Sequence, residues 1–350
     1  MTTEQLSLGF DESAFAPSPA APSKLRKAKT ARVTPALRAA APPDLNALAR
    51  ELEQHPDYRV LRRLVPSTQF DHQPLGPVAR VVILDTETTG LDHSRDKIIE
   101  LALVRVHIDR QTGQATGPVE VYDGLQDPGM PIPKMAREIT GITDAMVAGQ
   151  QLDEARIASL LEGADLVIAH NAGFDRPFVE ARLPQTAALD WACSFADIDW
   201  AAAGRSSAKL SALASELGWF YDAHRAEMDC HALLAVLMAE LPDLGQNGLA
   251  HLISSAQAPS YRLQATGAPF EAKDLLKARG YRWDGQGKVW HTRLGGEAAL
   301  QAECAWLKEA VYGGRTARLQ WERHDAKSRY STRSGVAGWA DLRDQSPALI

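Results

Sequence analysis

An α/β fold is predicted for this 350-residue chain: a mixed sheet flanked by helices, followed by a small basic α+β module, with disordered tails at both ends. Three observations predict it. Three strand-like stretches follow one another with short links between residues 80 and 125. Helical and strand-like stretches then alternate as far as residue 241. Beyond a polar gap, a Lys/Arg-rich segment bearing several Trp residues repeats helix and strand signals on a smaller scale.

Residues 1–43 carry a small apolar cluster, QLSLGF (5–10), ahead of an Ala/Pro/Ser-rich stretch with the basic run KLRKAKTAR. Too few large apolar groups are present to offset the entropy of ordering, so this is a disordered tail. Residues 44–78 read as a helical preface, with Asp44 as N-cap after two prolines. RVVILDTETTG (80–90) is a buried strand ending at a turn, IIELALVRVHI (98–108) a second strand, and VEVYDGL (119–125) a third. Together they make an antiparallel meander. A helix at 151–162, a short strand ADLVIAHN (164–171) and helices in FDRPFVEARL, KLSALASELG and RAEMDCHALLAVLMAEL complete a domain over 79–243. Residues 244–259, with Pro, Gly, Asn and Ser nearby, read as a linker. The module at 260–323 holds a short helix, two aromatic strands joined by a DGQG turn and a helix at 297–311. Residues 324–350 are polar and read as a disordered tail.

Composition is that of a globular protein, 45% hydrophobic and 23% charged, with a net charge of −6. That average hides an asymmetry. Residues 79–243 carry 26 acidic against 13 basic residues, whereas 262–335 carry 14 basic against 8 acidic. An acidic body beside a basic annex points to a polyanionic partner. Cys193, Cys230 and Cys304 are too widely spaced for a disulfide framework or a zinc site and read as buried thiols. No secretory signal and no membrane-length apolar run is found, which predicts a cytoplasmic, nucleoid-associated protein with no membrane partner.

Asp85 and Glu87 stand two residues apart at the end of a buried strand, so period two puts both on one face. Two like charges there are costly unless a cation binds them, and hard oxygen donors suit Mg²⁺ or Mn²⁺. Alone, such a triplet usually marks a solvated strand end. Two further carboxylates alter the reading: Asp175 in HNAGFDRPF, at the mouth of a helix, and Asp229 in HRAEMD, five residues after His224.

The order DTETTGLD, HNAGFDRPF, HRAEMD resembles the three motifs of the DnaQ-like (DEDDh) 3′–5′ exonuclease superfamily, including the epsilon-type proofreading exonucleases of DNA polymerase III, and ITGITDAMV (139–147) resembles the segment between the first two. The resemblance covers residues 80–241 and implies the ribonuclease H-like fold. It implies that Asp85, Glu87, Asp175 and Asp229 ligate two Mg²⁺ or Mn²⁺ ions, with His224 as the general base. It also implies that Thr88 and Leu91 contact the 3′-terminal nucleotide, with Asn171 and Phe174 lining the same pocket. The expected activity is two-metal hydrolysis of DNA 3′ ends, single-stranded or frayed, in proofreading or repair. An exoribonuclease, or a non-catalytic adaptor on a nuclease fold, are the alternatives; all five catalytic positions being intact weighs against the adaptor.

The basic annex and the KLRKAKTAR run supply long-range attraction to phosphate. Trp283, Trp290 and Tyr281 either stack on unpaired bases or form the module's own core. QLSLGF resembles the Q-x-x-L-x-F peptides that dock on the bacterial sliding clamp. Gln5, Leu6, Leu8 and Phe10 are therefore the expected clamp contacts, and a DNA polymerase is a further expected partner.

Overall fold

The computed structural model describes residues 44–342. The clamp-like peptide and the rest of the N-terminal tail lie outside the described residues. Helix α1 (Leu45–Glu53) opens the described chain, and Asp44 caps it by accepting the Asn46 N–H at 3.0 Å. Short strands β1 (Arg62–Arg63) and β2 (Gln69–Asp71) follow. The preface is thus helical only at its start: β2 pairs with the main sheet through Phe70 and Gly117.

Three long strands come next: β3 (Val78–Thr88), β4 (Ile98–Asp109) and β5 (Ala115–Leu125). They form the expected antiparallel meander. Short helices α2 (Lys134–Thr140) and α3 (Asp144–Val147) lead to α4 (Glu154–Leu161), then strand β6 (Leu166–Ala169), helix α5 (Ala172–Arg182) and strand β7 (Trp191–Cys193). Both β6 and β7 join in parallel, giving a mixed six-stranded sheet in the order β2-β5-β4-β3-β6-β7. Helix α6 (Leu210–Glu216), strand β8 (Trp219–Phe220), helix α7 (Ala226–Met238), strands β9 (Glu240–Leu241) and β10 (Gln246–Asn247), and helix α8 (Gly248–Ser255) complete this part.

Strand β3 is central, and its alternation sorts the two layers. Val81 and Ile83 face Leu233, Leu237 and Leu249 from α7 and α8. Val82 and Leu84 face Ile157, Leu160, Phe178 and Val179 from α4 and α5. Small residues let α7 lie close on the sheet. Cys230 is fully buried, its thiol 3.7 Å from the carbonyls of Ile83 and Ala102. All three cysteines are free and buried.

The C-terminal part is an antiparallel five-stranded sheet. Its strands are β11 (Ser260–Gln264), β12 (Arg282–Asp284), β13 (Val289–Gly295), β14 (Arg318–His324) and β15 (Val336–Asp341), in the order β12-β13-β11-β14-β15. Helices α9 (Lys273–Ala278) and α10 (Glu297–Trp306) cover one face, where Leu276, Leu300 and Cys304 pack with Tyr261, Leu263 and Trp321. Tyr281 belongs to this core, its hydroxyl donating to Glu303 at 3.2 Å. Trp290 packs against the core, and Trp283 rests on Trp290 with 52% of its surface exposed.

Two expectations are corrected here. The segment at 244–259 is not a linker. Asn247 caps α8 by accepting the Ala250 N–H, donates to the Gly113 carbonyl, and lets Leu249, Leu252 and Ile253 enter the core between the first sheet and α7. Nor is 324–350 wholly a tail: β15 adds the fifth strand, and the loop before it docks on the first sheet.

That docking centres on Arg176. Its guanidinium is fully buried over the Trp191 ring and donates to the carbonyls of Ala326 and Arg329 (3.2 and 2.7 Å) and to Glu180 (2.7 Å). Tyr330 enters the α4/α5-side core while its hydroxyl donates to Asp197. The loop's polarity, which reads as disorder, provides carbonyl acceptors for a buried cation. Replacing Arg176 by Met should therefore cost about 3–5 kcal/mol, because the Arg329 carbonyl loses its side-chain donor and Glu180, still bonded to Ser331 and Arg333, loses its shortest ion pair. Urea unfolding of the two proteins measures the difference, and a loss under 1 kcal/mol would refute this role.

Candidate active site

The same alternation that sorts the core sets out the carboxylates. Asp85 and Glu87 continue the face of Val81 and Ile83, under α7, and Thr86 continues the opposite face toward α5. Asp229 comes down from the first turn of α7 to meet the first pair. Carboxylate oxygens of Asp85, Glu87 and Asp229 lie within 4.8 Å of one another, all three residues half-buried. Asp175 stands on the other side of the strand end. It accepts from the Thr86 hydroxyl at 2.8 Å and the Thr86 N–H at 3.2 Å, and is buried. Three of the four expected ligands are therefore gathered, and the fourth is held against the strand between them.

Asp229 is fixed by three donors: the Tyr221 hydroxyl at 3.0 Å and the N–H groups of His224 and Arg225 at 2.8 and 3.2 Å. His224 takes a left-handed conformation, φ 65°, immediately before α7. Its backbone turns back to Asp229 while its side chain stays exposed. The helix start is held from beneath by Glu100, the cross-strand neighbour of Glu87. Glu100 is fully buried and accepts from Arg225 Nη2 at 2.7 Å and from the Ala226 N–H at 2.9 Å. Glu100 and Tyr221 were not singled out by sequence reasoning. A charged residue inside IIELALV was the available signal for the first, since such a residue is almost never buried unpaired. Nothing local marks the second.

The electrostatics follow from this crowding. Burial, then the neighbouring carboxylates Asp175, Asp229 and Glu87, push the Asp85 carboxyl well above its usual range. Burial and Asp229 raise Glu87 to about 8, and burial raises Asp175 to about 7. Asp229 is also raised, again mainly by burial, with the Tyr221 hydroxyl opposing. An all-oxygen donor set this close, with too little positive charge to neutralise it, has the chemistry of a hard divalent cation site.

Of the expected nucleotide contacts, Thr88 is buried and its hydroxyl donates to the Gly90 carbonyl at 2.6 Å. Leu91 is 86% exposed on the loop after β3. Asn171 precedes α5 in a left-handed conformation, exposed, while Phe174 packs on Phe178 at the edge of the core. Leu91 and Asn171 thus have side chains at the surface beside the site, whereas Thr88 and Phe174 serve first as structure.

The family model described as "Exonuclease" matches residues 82–237. A DNA polymerase III PolC-type of Thermotoga petrophila is 34% identical over 140 residues, which is 39% of this chain and 9% of that protein. A DNA polymerase III subunit epsilon-like protein of Rhodobacter capsulatus is 42% identical over 105 residues, 29% of this chain and 14% of that protein. This chain therefore spans only a small part of the length of these relatives. Among solved structures, Exonuclease X in complex with 5′ overhanging duplex DNA matches at 27% identity with a TM-score of 0.37, over 49% of this chain and 97% of that one.

The raised carboxyls carry a pH signature. A carboxyl whose folded pKa lies above its unfolded value binds more protons when folded, so its destabilising effect grows as pH rises from about 4 through the folded pKa. In EDTA the melting temperature should therefore fall between pH 5 and pH 8, spanning the values near 7 and 8 of Asp175 and Glu87. Added Mn²⁺ should flatten that fall. Parallel melting curves with and without Mn²⁺ would contradict a cation site.

Proposed function

We propose that the chain, whose residues 82–237 match the family model described as "Exonuclease", is a DnaQ-like, divalent-metal-dependent 3′–5′ exodeoxyribonuclease acting on single-stranded or frayed DNA ends, in proofreading or repair. One observation carries the reading: Asp85, Glu87 and Asp229 converge on one point at the end of β3, with Asp175 beside them. These four residues would hold two Mg²⁺ or Mn²⁺ ions. Bound there, such ions offset the repulsion between a phosphodiester and an approaching hydroxide, and stabilise charge on the leaving oxygen.

The chain's own groups do the rest. Asp229 is oriented by Tyr221 and by two backbone N–H groups, so its position does not depend on substrate. His224, exposed on a turn anchored through its N–H, leaves its imidazole free to take a proton from the attacking water. The water oxygen bonds to phosphorus, the bond to the preceding nucleotide's 3′ oxygen breaks, and a nucleoside 5′-monophosphate leaves. Thr88, Leu91, Asn171 and Phe174 surround the terminal nucleotide, Leu91 supplying exposed apolar surface beside the site.

Mg²⁺ with 5′-labelled single-stranded DNA, mismatched-end duplex and RNA tests this. A DNA ladder shortening from the 3′ end is expected. Asp85→Asn should lower kcat by on the order of 10³-fold or more, and His224→Ala by about 10²–10⁴-fold. Digestion of RNA alone would replace the reading by an exoribonuclease.

We further propose that Gln5, Leu6, Leu8 and Phe10 tether the enzyme to a bacterial sliding clamp in the cytoplasm, where a DNA polymerase is a natural neighbour. The peptide pattern supports this, and tethering through the chain that precedes residue 44 would raise the local concentration of the nuclease at DNA. Replacing Gln5, Leu8 and Phe10 by Ala should abolish clamp pull-down and leave the rate on free oligonucleotides unchanged. Equal retention on the clamp would end the tether idea.

A further inference from the structure

The five-stranded sheet has a second face, opposite α9 and α10. Residues paired across an antiparallel ladder share a face. Arg282 pairs with His291, His291 with Gln264, and Gln264 with Gln320, forming a polar row across four strands. Arg293 pairs with Arg262 in the adjacent row. This face is turned toward the nuclease part. A cleft of about 420 Å³ lies between them, lined by Arg282, His291 and Arg293 on one side and by Asn171, Phe195 and Tyr330 on the other. Asn171 is the N-cap of α5, the helix whose first turn carries Asp175, and so connects the cleft wall to the carboxylate site.

Its chemistry is specific. Neither Arg282 nor Arg293 is ion-paired with a carboxylate among the described residues, whereas Arg262 is paired with Asp284 at 2.9 Å. Arg293 lies over the Tyr330 ring at 5.1 Å, which holds it at the cleft wall. Across from these cations Phe195 is 40% exposed. Unneutralised guanidinium groups facing an exposed aromatic ring, in a cleft whose wall includes the N-cap of the helix that carries Asp175, match what a single strand offers: phosphates on one edge and base faces on the other.

We propose that this cleft holds the single-stranded DNA immediately behind the 3′-terminal nucleotide, with Arg282 and Arg293 on backbone phosphates and Phe195 against a base. The proposal rests on the nuclease reading above and adds to it the substrate path. It gives the C-terminal module a role as the second wall of the substrate channel, through the sheet face opposite the one that carries its aromatic core.

The full chain, 5′-fluorescein-labelled dT12 and EDTA suffice for the test, read by fluorescence anisotropy. The double variant Arg282→Ala/Arg293→Ala should bind at least 10-fold more weakly. Its log–log salt dependence should be shallower by about 1.4, the loss of two single-strand phosphate contacts. Lys277→Ala removes the same kind of charge from α9, on the opposite face, and should change affinity by less than twofold. Arg293 also stacks on Tyr330, so Arg282→Glu alone, with its melting temperature unchanged, serves as the second variant. With Mn²⁺, hydrolysis of thymidine 5′-monophosphate p-nitrophenyl ester, too short to reach the cleft, should be as fast in the variants as in the wild type. Wild-type affinity for dT12 in both arginine variants, or an equal loss in Lys277→Ala, overturns the proposal. Failure of the wild type to hydrolyse the ester or any DNA would instead overturn the nuclease reading, leaving the anisotropy result to stand by itself.

Discussion

Mutual repulsion among carboxylates buried at the end of one strand is the constraint around which the molecule is arranged. Asp85 and Glu87 sit where the apolar face of β3 runs out, and α7 delivers Asp229 onto the same spot. Nothing in that arrangement is self-stabilising. It is sustained by a core that fixes β3 on both faces, and by donors that orient each carboxylate: Tyr221 and the turn at His224 for Asp229, Thr86 for Asp175. Such crowding is relieved either by protonation, as the raised carboxyls show, or by a bound cation.

Glu100 shows how deep that arrangement goes. A fully buried carboxylate directly across the ladder from Glu87 adds to the repulsion on Glu87 and Asp85, and is itself held by Arg225 and the Ala226 N–H. One acid is thus spent on fixing the helix that presents another.

Much of this was readable from residues alone. Period two in VVILDTE put Asp85 and Glu87 on one face, and the meander, the alternating second half and the aromatic hairpin of the module all stand as expected. What escaped notice depended on partners far along the chain. GLAHLISS lies among turn-forming residues and reads as a link, but its leucines complete a core built by α7. SRYSTRSG has almost no apolar content, and the groups that order it lie far away in sequence: the guanidinium of Arg176, about 150 positions earlier, on the Arg329 carbonyl, and Asp197 on the Tyr330 hydroxyl. Tyr221 lacked any local mark because its role is set by a helix that begins five residues later. Local patterns report local structure; acceptors and donors that meet across long loops do not announce themselves.

The Arg176 contact has a consequence for how the two sheets can be separated. Their shared surface is sealed by a cation that belongs to the first sheet's helix and by carbonyls from a hairpin loop of the second. Stripping away the C-terminal sheet would leave a guanidinium above Trp191 with Glu180 but without the Ala326 and Arg329 carbonyls. The chain therefore does not behave as two interchangeable cassettes joined at residue 244 or 260. Its physical seam is hidden inside the fold, where Arg176 meets the loop between β14 and β15.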